Sequence, residues 1–61
     1  MKIDELIKKL KNDGWFEDRQ SGSHKIFKHD SKAGSLSVPY HKGKEVQTGT
    51  ANSILKKAGL K

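Results

Sequence analysis

The side chains best suited to proton chemistry in this sequence are its three histidines, His24, His29 and His41. Imidazole titrates near neutrality, so it can take or give a proton at working pH. Their spacings of five and twelve residues match no standard zinc pattern, and the chain has no cysteine. His24 and His29 differ by an odd number of positions, so on a regular strand they face opposite sides. Neither a metal site nor a cofactor is expected. His24 stands apart by its setting. Gly22-Ser23-His24 puts it just after a tight turn, at the head of a strand, where the backbone is held and the side chain is exposed. His29 and His41 have no comparable setting and read as surface residues that contact phosphate at most.

A titratable side chain among cations suits one reaction in particular. RNA carries its own nucleophile, the 2′-hydroxyl. Cleavage then needs a base to activate it, a cation to stabilise the charged phosphorane, and a proton for the leaving oxygen. His24 is the candidate base. Lys25 and Arg19 are its cationic neighbours in sequence across the hairpin. A histidine after a turn is also an ordinary surface residue, so a non-catalytic RNA-binding module stays open as the alternative.

The overall charge favours a polyanion partner. Thirteen Lys+Arg against seven Asp+Glu leave +6 at pH 7 on 61 residues. The lysines are spread along the chain. One reading is a solvated coat. Another is a basic face that serves only an acidic protein. The functional reading is a phosphate-binding face formed by an open sheet side and the 42–50 loop, using Arg19, Lys25, Lys28, His41, Lys42 and Lys44. Trp15, Phe16, Phe27 and Tyr40 are the rings able to stack on bases. In so short a chain Trp15 and at least one Phe belong in the core. Tyr40, after the proline, is then the best free candidate.

These residues need elements to position them. Ile3, Leu6, Ile7 and Leu10 form one helical stripe, and Asn12-Asp13-Gly14 stops it, which predicts a helix over about 3–12. Trp15 to Gln20 reads as a strand and Ser21-Gly22 as a hairpin turn. Ser23 to His29 follows as a second strand, 30–34 as a turn, and Ser35 to Pro39 as a third strand of strict alternation. His41 to Gly49 is a loop. Thr48 and Thr50 are candidate N-caps for a second helix with its stripe at Ala51, Ile54, Leu55 and Ala58, closed by Gly59.

The order is α-β-β-β-α, an α+β fold in one domain over 1–61. Only 31% of the residues are hydrophobic. Such a core cannot fill both faces of a three-stranded sheet, so both helices must lie on one face. That is the architecture of a double-stranded-RNA-binding domain. No apolar run reaches membrane-spanning length, and the N-terminus lacks a signal peptide's apolar region. With no cysteine, a cytoplasmic location without membrane association is expected.

The chain resembles the HicA-type toxins, also called the YcfA-like mRNA interferases. The resemblance covers nearly all residues. It rests on Gly14-Trp15, Arg19, Gly22-Ser23-His24 and Ile26-Phe27. It continues through Val38-Pro39-Tyr40-His41, Lys44-Glu45-Val46, Gly49-Thr50 and Ile54-Leu55-Lys56-Lys57-Ala58-Gly59-Leu60. It implies the double-stranded-RNA-binding-like fold and metal-independent cleavage of mRNA, with His24 as the catalytic residue. It also implies a HicB-type antitoxin as partner, with DNA binding carried by that antitoxin rather than by this chain. Two positions depart from the pattern. Many members have a second histidine where this chain has Lys25, which leaves the general acid unassigned. Many have Leu where this chain has Ala51, which thins the second helix's contact with the sheet.

Overall fold

The computed structural model describes residues 1–61. Helix α1 spans Ile3–Asn12, with the bounds its stripe predicts, and buries Ile3, Leu6 and Leu10. Strands β1 (Trp15–Ser21), β2 (His24–His29) and β3 (Ser35–Pro39) follow, then helix α2 (Thr48–Lys57). The strands form one antiparallel sheet in the order β1-β2-β3. The α+β architecture and element order are those the sequence predicts.

The strand register decides which side chains meet the helices. Phe27 pairs with Leu36 and Lys25 with Val38, so these four share a face. Phe27, Leu36 and Val38 are buried in one cluster with Leu6, Leu10, Ile54, Leu55 and Ala58 from the two helices. Both helices therefore cover the Phe27 face. The other face is open, and His24, Ile26 and Lys28 lie on it by alternation. All twelve buried residues are apolar.

Pairing continues to Ser21 and His24, so the β1–β2 turn is Gly22-Ser23, one residue later than the sequence reading. Gly22 takes φ 59° while Ser23 stays negative. A positive φ at the first of two turn residues matches the right-handed twist of the strands it joins. Within β1 the register slips between Glu17 and Arg19, making Asp18 a bulged residue.

His29 closes the α1–β1 junction. His29 is not a surface residue. Its ring meets Trp15 edge-on at 5.1 Å between centroids, and the two residues are directly paired. The Ser31 backbone N–H donates to His29 Nδ1 at 3.0 Å. That leaves the proton on Nε2, which donates to the Asp13 carbonyl at 2.6 Å. The histidine thus satisfies the carbonyl of the α1 C-cap residue, a structural task. Gly14 makes room for it. At φ 104° Gly14 occupies a conformation that disfavours side chains, and a Cβ there would lie 2.8 Å from His29 Nε2.

Lys32 joins the ends of both helices. Its Nζ donates to Asp13 Oδ2 at the α1 C-cap and to the Ala58 carbonyl, 2.8 Å away, at the α2 C-cap. A cation suits both negative helix ends. The Lys32 hydrogen bond is also the main reason the Asp13 carboxyl titrates below its usual range.

Helix α2 begins differently from the sequence expectation. Thr48 and Thr50 lie inside its first turn, Gln47 holds the N-cap position, and no side chain caps it. The reason is tertiary. The Val46 N–H donates to the Met1 carbonyl at 2.8 Å and Val46 is buried, so the chain enters the helix straight from that anchor. The Ile3 N–H donates to the Lys44 carbonyl at 3.0 Å. The 41–47 segment is thereby tied to the N-terminus. No helix is long and apolar enough to cross a membrane.

Candidate nucleic-acid interface

His24 opens β2, opposite Ser21 on β1 and Pro39 on β3. The Tyr40 N–H donates to the Ser23 carbonyl at 2.7 Å, which extends the ladder past His24 on one side. The backbone of His24 is therefore held from both neighbouring strands, while its side chain is exposed on the open face. The three histidines do not converge, and no three His, Asp or Glu side chains form a cluster.

Arg19 and Lys28 share the open face with His24. Arg19 pairs with Ile26, and Lys28 lies four residues beyond His24 on β2. Both cations reach toward the bulged Asp18. Arg19 donates to its Oδ2 at 3.3 Å, and Lys28 Nζ stands 4.0 Å from the same oxygen. Their side chains are 66% and 50% exposed, so these contacts leave them accessible.

Lys25 and Tyr40 lie on the other side of the sheet. Lys25 Nζ donates to Glu17 Oε1 at 2.8 Å and sits 4.4 Å from the centre of the Tyr40 ring. The Glu17 hydrogen bond, the largest cause, raises the Lys25 pKa above its ordinary value. Tyr40 is half-buried against the core. It is not the free ring that its place after the proline predicts. The exposed ring is Phe16, directly opposite Lys28. Lys25 does not share a face with His24.

His41, Lys42 and Lys44 form a third group on the 41–47 segment, all exposed. His41 and Lys44 help line a shallow pocket with Pro39, Gln47 and Thr50. Pro39 connects this pocket to the open face, since it is the β3 partner of His24. Glu45, which also lines the pocket, is bound by the N-terminal ammonium at 3.1 Å.

Chemically, this is an exposed imidazole on a rigid strand end, with two accessible cations on its own face and more on an adjoining loop. A family model described as the HicA toxin of bacterial toxin–antitoxin systems matches residues 3–60. The chain belongs to the HicA toxin family. It is thus the toxin of a toxin–antitoxin pair, and its partner is an antitoxin. Comparison with curated proteins gives no match. Of the residues by which the chain resembles HicA toxins, Gly14 and Trp15 pack against His29 at the α1–β1 junction and Gly22 shapes the turn before His24. Phe27 and Ala58 are fully buried core.

Proposed function

We propose that this HicA toxin is a metal-independent endoribonuclease that cleaves mRNA, with His24 as its catalytic base. The observation that carries the proposal is the exposed His24 imidazole on the open face, which it shares with Arg19 and Lys28, away from the helix-covered core. In the proposed step His24 takes the proton of a ribose 2′-hydroxyl. The 2′-oxygen forms a bond to the adjacent phosphorus, and the bond from phosphorus to the 5′-oxygen breaks. A cyclic phosphate and a 5′-hydroxyl result, the latter taking its proton from water or from an acid that no residue here is assigned to be. Arg19 offsets the charge that builds on the phosphorane, and Lys28, further along β2, meets a neighbouring phosphate. Lys42, Lys44 and His41 meet phosphates further along the strand. A HicB-type antitoxin would silence the enzyme by covering His24. Protein and substrate would meet in the cytoplasm.

The test compares wild type with His24→Ala. General base catalysis contributes about 10²- to 10⁴-fold, so the variant's cleavage of labelled RNA should fall by that order. Cells expressing it should keep their mRNA and grow. Circular dichroism checks that the variant folds. A folded His24→Ala protein that still cleaves and still stops growth removes the catalytic assignment. RNA retained but never cut by wild type would make the chain a binding module instead.

A further inference from the structure

The open face carries one large apolar side chain without a partner. Phe16 is 45% exposed, although its neighbour Trp15 and the other phenylalanine, Phe27, are buried. Phe16 stands directly opposite Lys28, so the two side chains leave the sheet on the same face. Half-buried Ile26 lies on the same face, next in line toward His24. Single exposed apolar residues are common and need no cause. This one differs in being a flat ring on a paired strand, opposite one cation and on the same face as His24.

We propose that Phe16 is a base-stacking platform, on which an unpaired base of the substrate strand lies while a phosphate of that strand meets Lys28. The proposal rests on the RNA-cleaving reading above and deepens it by naming the substrate as single-stranded at this point. Charge complementarity selects RNA as the occupant. The ring is bordered by Lys28 and Arg19, in a chain of net charge +6. An aromatic ring beside a cationic track is how proteins hold single strands, because every base has a face to stack and every linkage a charge. In a duplex those faces are already stacked on one another, and a base must be extruded before it can reach a protein ring. His24 and Lys28 are four residues apart, about 13 Å along the strand. The stacked base therefore belongs to a nucleotide near the cut, not to the one being cut.

The test uses the full chain in a His24→Ala background, so that bound RNA survives. The probes are a labelled single-stranded RNA oligonucleotide and the same oligonucleotide annealed to its complement. Phe16→Ala should weaken single-strand binding by about tenfold or more, and Phe16→Trp should restore it. Duplex binding should change little. The melting temperature should hold, since Phe16 is outside the core. Unchanged single-strand affinity, or an equal loss on both probes, overturns the platform. So does a Phe16→Ala protein that binds RNA normally but loses its antitoxin, which would make the ring part of the protein interface. If wild type cleaves RNA and Phe16→Ala cleaves it equally well at low substrate, only the platform fails. If no form binds RNA, the nuclease reading fails with it.

Discussion

Asp18 controls how much of the open face's charge an incoming anion can use. It is the bulged residue of β1, and its carboxylate sits within reach of both Arg19 and Lys28. A phosphate at this place would compete with it for the same two cations. Asp18→Asn keeps the shape and removes the charge. RNA binding, measured in the His24→Ala background, should tighten severalfold at low salt. The gain should shrink as salt rises, because cation–phosphate contacts are screened and counterions are released on binding. Weaker binding in the variant would mean that Asp18 orients Arg19 rather than competing for it. The turn ahead of His24 marked it as held and exposed. Its face was not legible, because Ile26 and Phe27 are both apolar and either could point inward. Pairing with Leu36 turns Phe27 inward and His24 outward. The same parity sets the Tyr40 ring half-buried against the core and leaves Phe16 as the exposed ring. Adjacent Trp15 and Phe16 cannot both face the helices, and only the sheet's pairing says which one does.

At the level of elements, the hydrophobic stripes located both helices and the alternation located β3. What they could not supply were features set by contacts between elements. The start of α2 follows the Val46 anchor and not its threonines. The bulge in β1 has no signal in Glu17-Asp18-Arg19. The α1–β1 junction is the strongest case. Gly14 reads correctly as a helix stop, yet its requirement is double: a positive φ, and space for His29 from a strand fifteen residues later. A side chain at Gly14 costs about 1–2 kcal/mol for the left-handed backbone. Displacing His29 from the Asp13 carbonyl adds about 1 kcal/mol more. Gly14→Ala should therefore lower the melting temperature by about 10 °C or more, given about 4–8 °C per kcal/mol in a domain of this size. A double-mutant cycle separates the two causes. With His29→Ala in place the clash is gone, and Gly14→Ala should cost only its backbone strain. Equal costs in both backgrounds would show that the close approach to His29 contributes nothing.

The whole molecule is one sheet layer and one helix layer, and its thinnest extent is 16 Å. Such a body has little interior. Its core is twelve apolar side chains, with no buried ion pair and no disulfide to add to them. A domain this small sits near the lower limit at which burial outweighs chain entropy. Its open face stays uncovered because the chain has too few apolar residues for a second layer. An antitoxin that recognises the folded form, and binds the native state alone, would stabilise it by mass action. At a free antitoxin concentration of 100 times Kd the gain is about 2.7 kcal/mol. For a domain of about this size that corresponds to roughly 10–20 °C in melting temperature. Thermal unfolding of the toxin followed with rising antitoxin should show the midpoint climbing with concentration. The climb should continue as the logarithm of concentration beyond saturation, as linkage requires. A midpoint that stays fixed while binding is independently shown to be complete would mean that the antitoxin holds unfolded and folded toxin equally well. The toxin's neutralisation would then owe nothing to recognition of this fold.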